Sequence, residues 1–70
     1  MPTDDQAKLK ILLSHWIEHN KEHADEFTEW ALKAKSNGKG KVHDHMIQAV
    51  KQMNGANKSL QAALERLKEG

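Results

Sequence analysis

The stretch Ser36-Asn37-Gly38-Lys39-Gly40-Lys41 decides the fold of this 70-residue chain, because it separates two long segments of helical character. Gly38 can take the left-handed conformation that ends many helices, and serine and asparagine favour turns. Lys33 and Lys35, just before the stretch, suit the negative end of a helix dipole. The stretch therefore predicts a short polar loop between two helices.

The segment before the loop is predicted to be one long helix, from about residue 4 to residue 36. Thr3-Asp4-Asp5-Gln6 has the pattern of a capping box, in which the side chains of Thr3 and Gln6 satisfy each other's backbone N–H groups. Side chains then recur in steps of three and four residues, which indicates one helix face. This face holds Leu9, Leu13, Trp16, Asn20, His23, Phe27, Trp30 and Ala34.

The segment after the loop repeats the pattern and is predicted to be a helix from about residue 42 to residue 68. Asp44 is the best candidate for its N-cap or first-turn acid. Glycine costs ~1 kcal/mol relative to alanine inside a helix, so Asn54-Gly55 is expected to be a point of bending or fraying. The apolar face of this helix holds Met46, Val50, Met53, Asn57, Leu60, Leu64 and Leu67.

Folding the two segments about the loop keeps their faces in register, which predicts an all-α antiparallel helical hairpin. Phe27 falls opposite Val50, and Asn20 falls opposite Asn57 at the middle of the hairpin. A buried asparagine at such a position typically fixes register and oligomeric state at a cost in stability. The residues expected to form the interface and set its register are Asn20, Asn57, Trp16, Phe27 and Trp30.

The apolar face is wider than one seam. Further apolar residues extend it, namely Leu12, Ile17, Ala24 and Ala31 on the first helix and Ile47, Ala49, Ala56 and Ala63 on the second. Such a stripe normally needs more than one partner helix, and a chain this short buries only ~60% of its unfolded surface. We therefore expect a single domain, residues 1–70, that forms a homodimeric four-helix bundle. The alternative is a three-helix bundle in which the first helix breaks near Asn20.

Composition narrows the classes of function. The chain has no cysteine, which excludes disulfides and thiolate zinc sites. No apolar run is long enough to cross a bilayer or to act as a signal peptide, and Met1-Pro2 is typical of a cytoplasmic start, so we expect a soluble cytoplasmic protein. Residues 1–30 carry three Lys against seven Asp or Glu, and residues 31–70 carry eight Lys or Arg against three. Attraction between two packed arms explains this asymmetry, and we do not expect a nucleic-acid partner.

Three of the five histidines, His15, His19 and His23, follow one another at four-residue spacing. Residues four apart on a helix project to neighbouring positions, so either consecutive pair can bind one ion. Imidazole is a suitable ligand for Zn, Ni, Co or Cu. Eight residues of helix rise ~12 Å, which is too far for one ion to take all three histidines. We expect a two-histidine half-site that Glu22, Glu26, the facing arm or a second chain completes.

The histidines also have an interpretation without metal. His15 and His19 are consistent with solvated positions beside the seam, and His23 with a satisfied histidine beside Met53. Protonation near about pH 6.5 would place like charges one turn apart, as in a pH-sensitive interface. The alternative function is therefore a structural or protein-interaction module. His43-Asp44-His45 is interpreted as helix start and surface, because residues two apart on a helix point to nearly opposite faces.

No catalytic motif is found, so we expect a binding protein and not an enzyme. The metallopeptidase pattern His-Glu-x-x-His is not matched, because the acid of His15-Trp16-Ile17-Glu18-His19 directly precedes the second histidine. Di-iron bundles need a glutamate three residues before a histidine, whereas His19 here precedes Glu22. The sequence also has no cysteine nucleophile and no glycine-rich phosphate loop.

The block His-Trp-Ile-Glu-His-Asn-x-x-His-Ala-x-x-Phe runs from His15 to Phe27 and continues to Trp30-Ala31. It resembles the corresponding block of a group of short, uncharacterised bacterial and archaeal proteins. The resemblance covers about a quarter of the chain, and the rest matches as helical pattern. It implies that the histidine block is the shared feature of the group, and it points to metal handling.

Overall fold

A computed structural model describes residues 4–69, which form two α-helices joined by a three-residue turn. Helix α1 spans Asp4–Ser36, helix α2 spans Gly40–Glu69, and the two pack against each other. No strand occurs within these residues. The predicted all-α helical hairpin is therefore confirmed. The capping box depends on Thr3, which lies outside the described residues.

Both helices are continuous. Helix α1 passes through Asn20-Lys21-Glu22 without a break, so the three-helix alternative is wrong. Lysine and glutamate are good helix formers and no proline intervenes, so a single asparagine does not end the helix. Helix α2 likewise remains helical through Asn54-Gly55, where a weak point was expected.

The turn between the helices is a Schellman motif. The N–H of Gly38 donates to the C=O of Lys35 at 3.0 Å, and the N–H of Lys39 donates to the C=O of Ala34 at 2.9 Å. Gly38 has a φ of 79°, in the left-handed region that the motif requires at this position. The predicted use of Gly38 as the left-handed cap is confirmed.

The start of α2 differs from the prediction. The C=O of Lys39 accepts the first helical hydrogen bond, from the N–H of His43 at 3.0 Å, so Lys39 is the N-cap residue. Asp44 therefore lies in the second helical turn, and the prediction that it caps the helix or stands in its first turn was wrong. The Schellman motif reverses the chain within three residues, which lets α2 begin at Gly40, two residues earlier than predicted.

The buried seam of α1 follows its predicted course at every other position and is shifted by one residue at the positions between. Ala24 and Ala31 are buried, with 5% and 0% of their surface exposed, whereas Trp16 and Trp30 are 42% and 58% exposed. The predicted course through both tryptophans is therefore wrong within the hairpin. Two helices approach closely where alanine stands between them, and the larger side chains then lie at the flank of the contact. On α2 every predicted seam residue is buried or half-buried, as expected.

The hairpin is a thin rod with little core. Its Cα radius of gyration is 16.1 Å, whereas a compact chain of this length has about 11 Å. Its accessible surface is 5552 Å², against about 4,400 Å² for a compact monomer of 7.9 kDa. Among the described residues, the only buried apolar side chains are those of Leu13, Ala24, Ala31 and Leu64. Neither helix contains, within residues 4–69, an apolar stretch able to cross a membrane.

A polar layer lies at the middle of the rod. The Asn20 side-chain amide donates to the Asn57 side-chain oxygen at 3.0 Å, and the Asn57 amide donates to the C=O of Ile17 at 3.1 Å. The two asparagines therefore meet as the register predicted. This layer places Asn20 and Asn57 at the same height along the rod.

Replacing Asn57 by alanine is expected to cost more stability than replacing Asn20. Asn57→Ala removes both hydrogen bonds of the layer, about 2 kcal/mol, whereas Asn20→Ala removes one, about 1 kcal/mol. Urea unfolding followed by circular dichroism measures both changes. Asn54→Ala, at an exposed position of α2, is the control and should change stability by less than about 0.5 kcal/mol. Equal losses for Asn57→Ala and Asn20→Ala would contradict the assigned hydrogen bonds.

Gly55→Ala is expected to stabilise the protein by about 0.5–1 kcal/mol, because Gly55 is helical and exposed and an added methyl group meets no atom within 4 Å. Thermal unfolding should show a Tm raised by a few degrees. Gly38→Ala is the opposing control. It has equal space, but its positive φ should make alanine destabilising by about 1–2 kcal/mol. A lowered Tm for Gly55→Ala would show that α2 is not a regular helix at this point.

Candidate metal centre

Three imidazole rings form a column along one side of α1, because their spacing returns each ring to nearly the same face after one turn. The rings of His15 and His19 are stacked, with centroids 5.8 Å apart. The rings of His19 and His23 meet edge to face at 4.3 Å, and Phe27 continues the column 5.9 Å beyond His23. The predicted histidine row is thus a row of contacting rings.

The closest pair in this column is formed by the Nε2 atoms of His19 and His23, which are 2.9 Å apart. Without a metal, one of the two nitrogens is protonated and donates a hydrogen bond to the other. A metal ion with Zn–N-like bonds of about 2.05 Å holds two cis nitrogens about 2.9 Å apart at a right angle and about 3.3 Å apart in a tetrahedron. The pair therefore already has the spacing of two cis ligands in a square-planar or octahedral complex.

Glu26 contacts the other nitrogen of His23. Its Oε1 lies 3.8 Å from His23 Nδ1, and both side chains are substantially exposed, at 65% and 41%. A carboxylate at Nδ1 favours the tautomer that carries its proton there, which leaves the lone pair on Nε2 for an ion. Glu26 therefore stands as an orienting group behind His23 in this arrangement. Glu22, the other predicted acidic ligand, is exposed on the surface of α1.

A single hairpin supplies two ligands to this centre. Within residues 4–69 no group of three histidine or acidic side chains gathers closely enough to hold one ion. The ring of His15 stacks on His19 and does not join the Nε2 pair. Asn20, although next to His19 in sequence, is turned to the seam and bonded to Asn57.

The surroundings of the pair combine negative charge with apolar side chains. Residues 18–29 of α1 hold five acids, Glu18, Glu22, Asp25, Glu26 and Glu29, against the single Lys21. Trp16 stands one turn before His19 and is 42% exposed. The acidic charge favours a cation, and a partly exposed apolar neighbour limits the water around it.

The second histidine group lies near the turn, away from this centre. His43 Nδ1 is 3.0 Å from the Asp44 carboxylate, and only 17% of the His43 side chain is exposed. His45 is exposed on a different side of α2. Neither is brought to the column formed by His15, His19 and His23.

A feature that the sequence did not reveal is a shallow groove at the open end of the hairpin. It has a volume of about 550 Å³ and is lined by Leu9, Leu13, Ala63, Arg66 and Leu67. Leu9 and Ala63 thus lie on the same side of the rod. The seven-residue spacing of alanines on α2 was the available signal, but which side of α1 they join depends on the packing of the two helices.

No solved structure and no curated protein matches the chain. Residues 9–67, which contain the histidine column, the Asn20–Asn57 layer and the turn, match a domain family described as a domain of unknown function, DUF8180. Since the match covers most of the sequence, the chain belongs to this family.

Proposed function

We propose that the protein binds a divalent transition-metal ion through His19 and His23. The observation that carries the proposal is the 2.9 Å separation of their two Nε2 atoms on an exposed face of α1. Glu26 behind His23 and the acidic charge of residues 18–29 support it. The proposed role is binding and not catalysis, in a cytoplasmic protein.

The spacing of the pair favours particular metals among Zn, Ni, Co and Cu. Cu²⁺ and Ni²⁺ take square-planar or tetragonal sites of nitrogen and oxygen ligands, in which two cis nitrogens have the 2.9 Å spacing of the pair. Tetrahedral Zn²⁺ requires the two nitrogens to separate by about 0.4 Å. The general affinity order of nitrogen sites also places Cu²⁺ first. We therefore propose Cu²⁺ or Ni²⁺ as the preferred ion.

Self-association is part of the proposed function. Two imidazoles leave coordination positions open, and one hairpin leaves much apolar surface uncovered, including Leu9, Leu12 and Trp16, each more than 40% exposed. A second copy of the chain can provide further ligands for the ion and apolar side chains that cover the exposed surface. The proposal therefore places the ion where two hairpins meet.

A second candidate function is a protein-interaction module that uses the same face without metal. The exposure of Trp30, 58%, and Val42, 48%, favours it, because aromatic and branched side chains anchor many protein interfaces. This candidate predicts that the protein associates in the presence of a chelator and that its histidine variants associate as strongly as the unaltered protein. The metal-binding candidate predicts neither result.

Titration with Cu²⁺ or Ni²⁺ is expected to quench Trp16, one turn from His19, in a Trp30→Phe background that leaves Trp16 as the only tryptophan. His19→Ala or His23→Ala should each weaken binding on the order of 10²-fold, because either change removes the benefit of two linked ligands. Isothermal calorimetry measures the affinities. Zn²⁺ should bind more weakly than Cu²⁺.

His45→Ala is the matched control, since it removes an exposed histidine from the other helix and should leave the affinity unchanged. Millimolar binding by the unaltered protein, or equal binding by the His19→Ala variant, would rule out the proposed site.

Glu26→Gln is expected to weaken metal binding about tenfold without changing the number of ions bound, because outer carboxylates orient and strengthen histidine ligands. Glu29→Gln removes the same charge one turn from Glu26 and away from His23, and so controls for the general loss of negative charge. Equal effects of the two substitutions would show that Glu26 acts through charge alone.

A further inference from the structure

A second stripe runs along α1 beside the buried seam, with the same alternation of three and four residues. It consists of Leu9, Leu12, Trp16, His19, His23, Glu26 and Trp30. All except His23 are exposed, and the His23 side chain is still 41% exposed. An alternation of this kind is typical of a helix that contacts a partner helix. The histidine pair therefore lies within a lateral contact stripe of the rod.

Helix α2 borders this stripe with small side chains. Ala63 lines the end groove together with Leu9, so it lies on the same lateral side. Ala56 and Ala49 precede it by one and two heptads and therefore share that side. The opposite lateral side carries Lys21 and Lys35 on α1 and Ile47, Asn54, Gln61 and Lys68 on α2, and the exposed Ile11 and Leu32 also face away from the stripe. Both sides of the rod therefore expose apolar side chains, but only the side of the stripe carries the histidine pair.

The side of the stripe is large enough for a stable interface. The rod extends 56 × 14 Å, so a face that spans both helices has a projected area of about 780 Å² in one copy and about 1,600 Å² in two copies. That is the standard size of specific protein–protein interfaces, provided that the two rods overlap along their whole length.

Two-fold symmetry sets where full overlap places the histidines. Helix α1 spans Asp4–Ser36, so its middle is residue 20, and a two-fold axis perpendicular to the rod at the height of residue 21 overlaps two copies almost completely. This axis pairs members of the stripe with one another, Trp16 with the partner's Glu26 among them, except that Leu9 falls opposite the partner's Lys33. His19 then lies opposite the partner's His23, and Leu12 lies opposite the partner's Trp30. The Asn20–Asn57 hydrogen bond puts residue 21 level with Ala56, which therefore lies opposite the partner's Ala56.

We propose that two copies dock through this lateral side about that axis, α1 against α1, and that His19 and His23 of both copies together bind one metal ion. The inference rests on the proposed metal-binding function and its self-association, and adds the two-fold axis, the register and the count of one ion per two chains. The carboxylate of Glu26, which lies in the stripe, enters the interface from each copy, where the two carboxylates repel each other. A bound divalent cation offsets that repulsion, so assembly is coupled to the metal.

The first test measures mass and stoichiometry for the unaltered protein. Light scattering should give a monomer in chelator and a dimer with Ni²⁺, and calorimetry should give one ion per two chains. One ion per chain on a monomer, lost in His19→Ala, overturns this inference and the proposed self-association, and leaves the proposed binding of an ion by His19 and His23 standing. No binding at all overturns both. A dimer of equal strength in chelator overturns the metal coupling.

The second test locates the interface by disulfide formation, for which the cysteine-free chain is suited. With Ni²⁺ and a mild oxidant, the Ala56→Cys variant should form a covalent dimer several times faster than without the ion. Asn54→Cys, two residues away on the opposite side, is the matched control and should remain monomeric on gels. Packing of α1 against the partner's α2 would separate the two introduced thiols, so a lack of cross-linking in the metal-bound dimer overturns the proposed register.

Discussion

Two packed helices share a single contact seam, but this chain carries enough apolar side chains for two seams. Alanines at positions 24 and 31 occupy the seam of α1 and bring the helices close together. The larger side chains of Trp16 and Trp30 are left at the flank, where about half of their surface faces solvent. The thin core, the long rod and the open apolar side all follow from this distribution of large and small residues.

The Asn20–Asn57 layer connects the fold to the candidate site. Its hydrogen bonds fix the height of one helix against the other, which an alanine-rich seam would leave poorly determined. Because Asn20 directly follows His19, the same layer sets where the histidine pair stands along the rod. That height is close to the middle of α1. When two antiparallel copies overlap fully, the middle is the one height at which the same residues of both copies lie opposite each other.

The turn, the two helices and the asparagine pair were predictable because each depends on local or periodic signals. Gly38 could be recognised as a left-handed cap, and the spacing of the asparagines could be counted about that cap. The seam of α1 was mispredicted because Trp16 and Ile17 both satisfy a three-and-four alternation, and hydrophobicity alone favours the tryptophan. The choice between them depends on how closely the backbones approach. The ring contacts of His19 and His23 depend on rotamers, which no spacing pattern specifies.

The acidic side chains of residues 18–29 link the proposed metal site to the proposed assembly. In a lone hairpin these acids are solvated, and their mutual repulsion is weak in water of high dielectric constant. At the proposed interface the charge of Glu26 is partly desolvated, so it opposes association unless a cation lies nearby. In the proposed dimer, the histidine pair holds that cation at the centre of the stripe. This side of the rod is apolar towards both ends and carries the histidine pair in the middle. It is therefore suited to association with a second copy that depends on a bound metal ion.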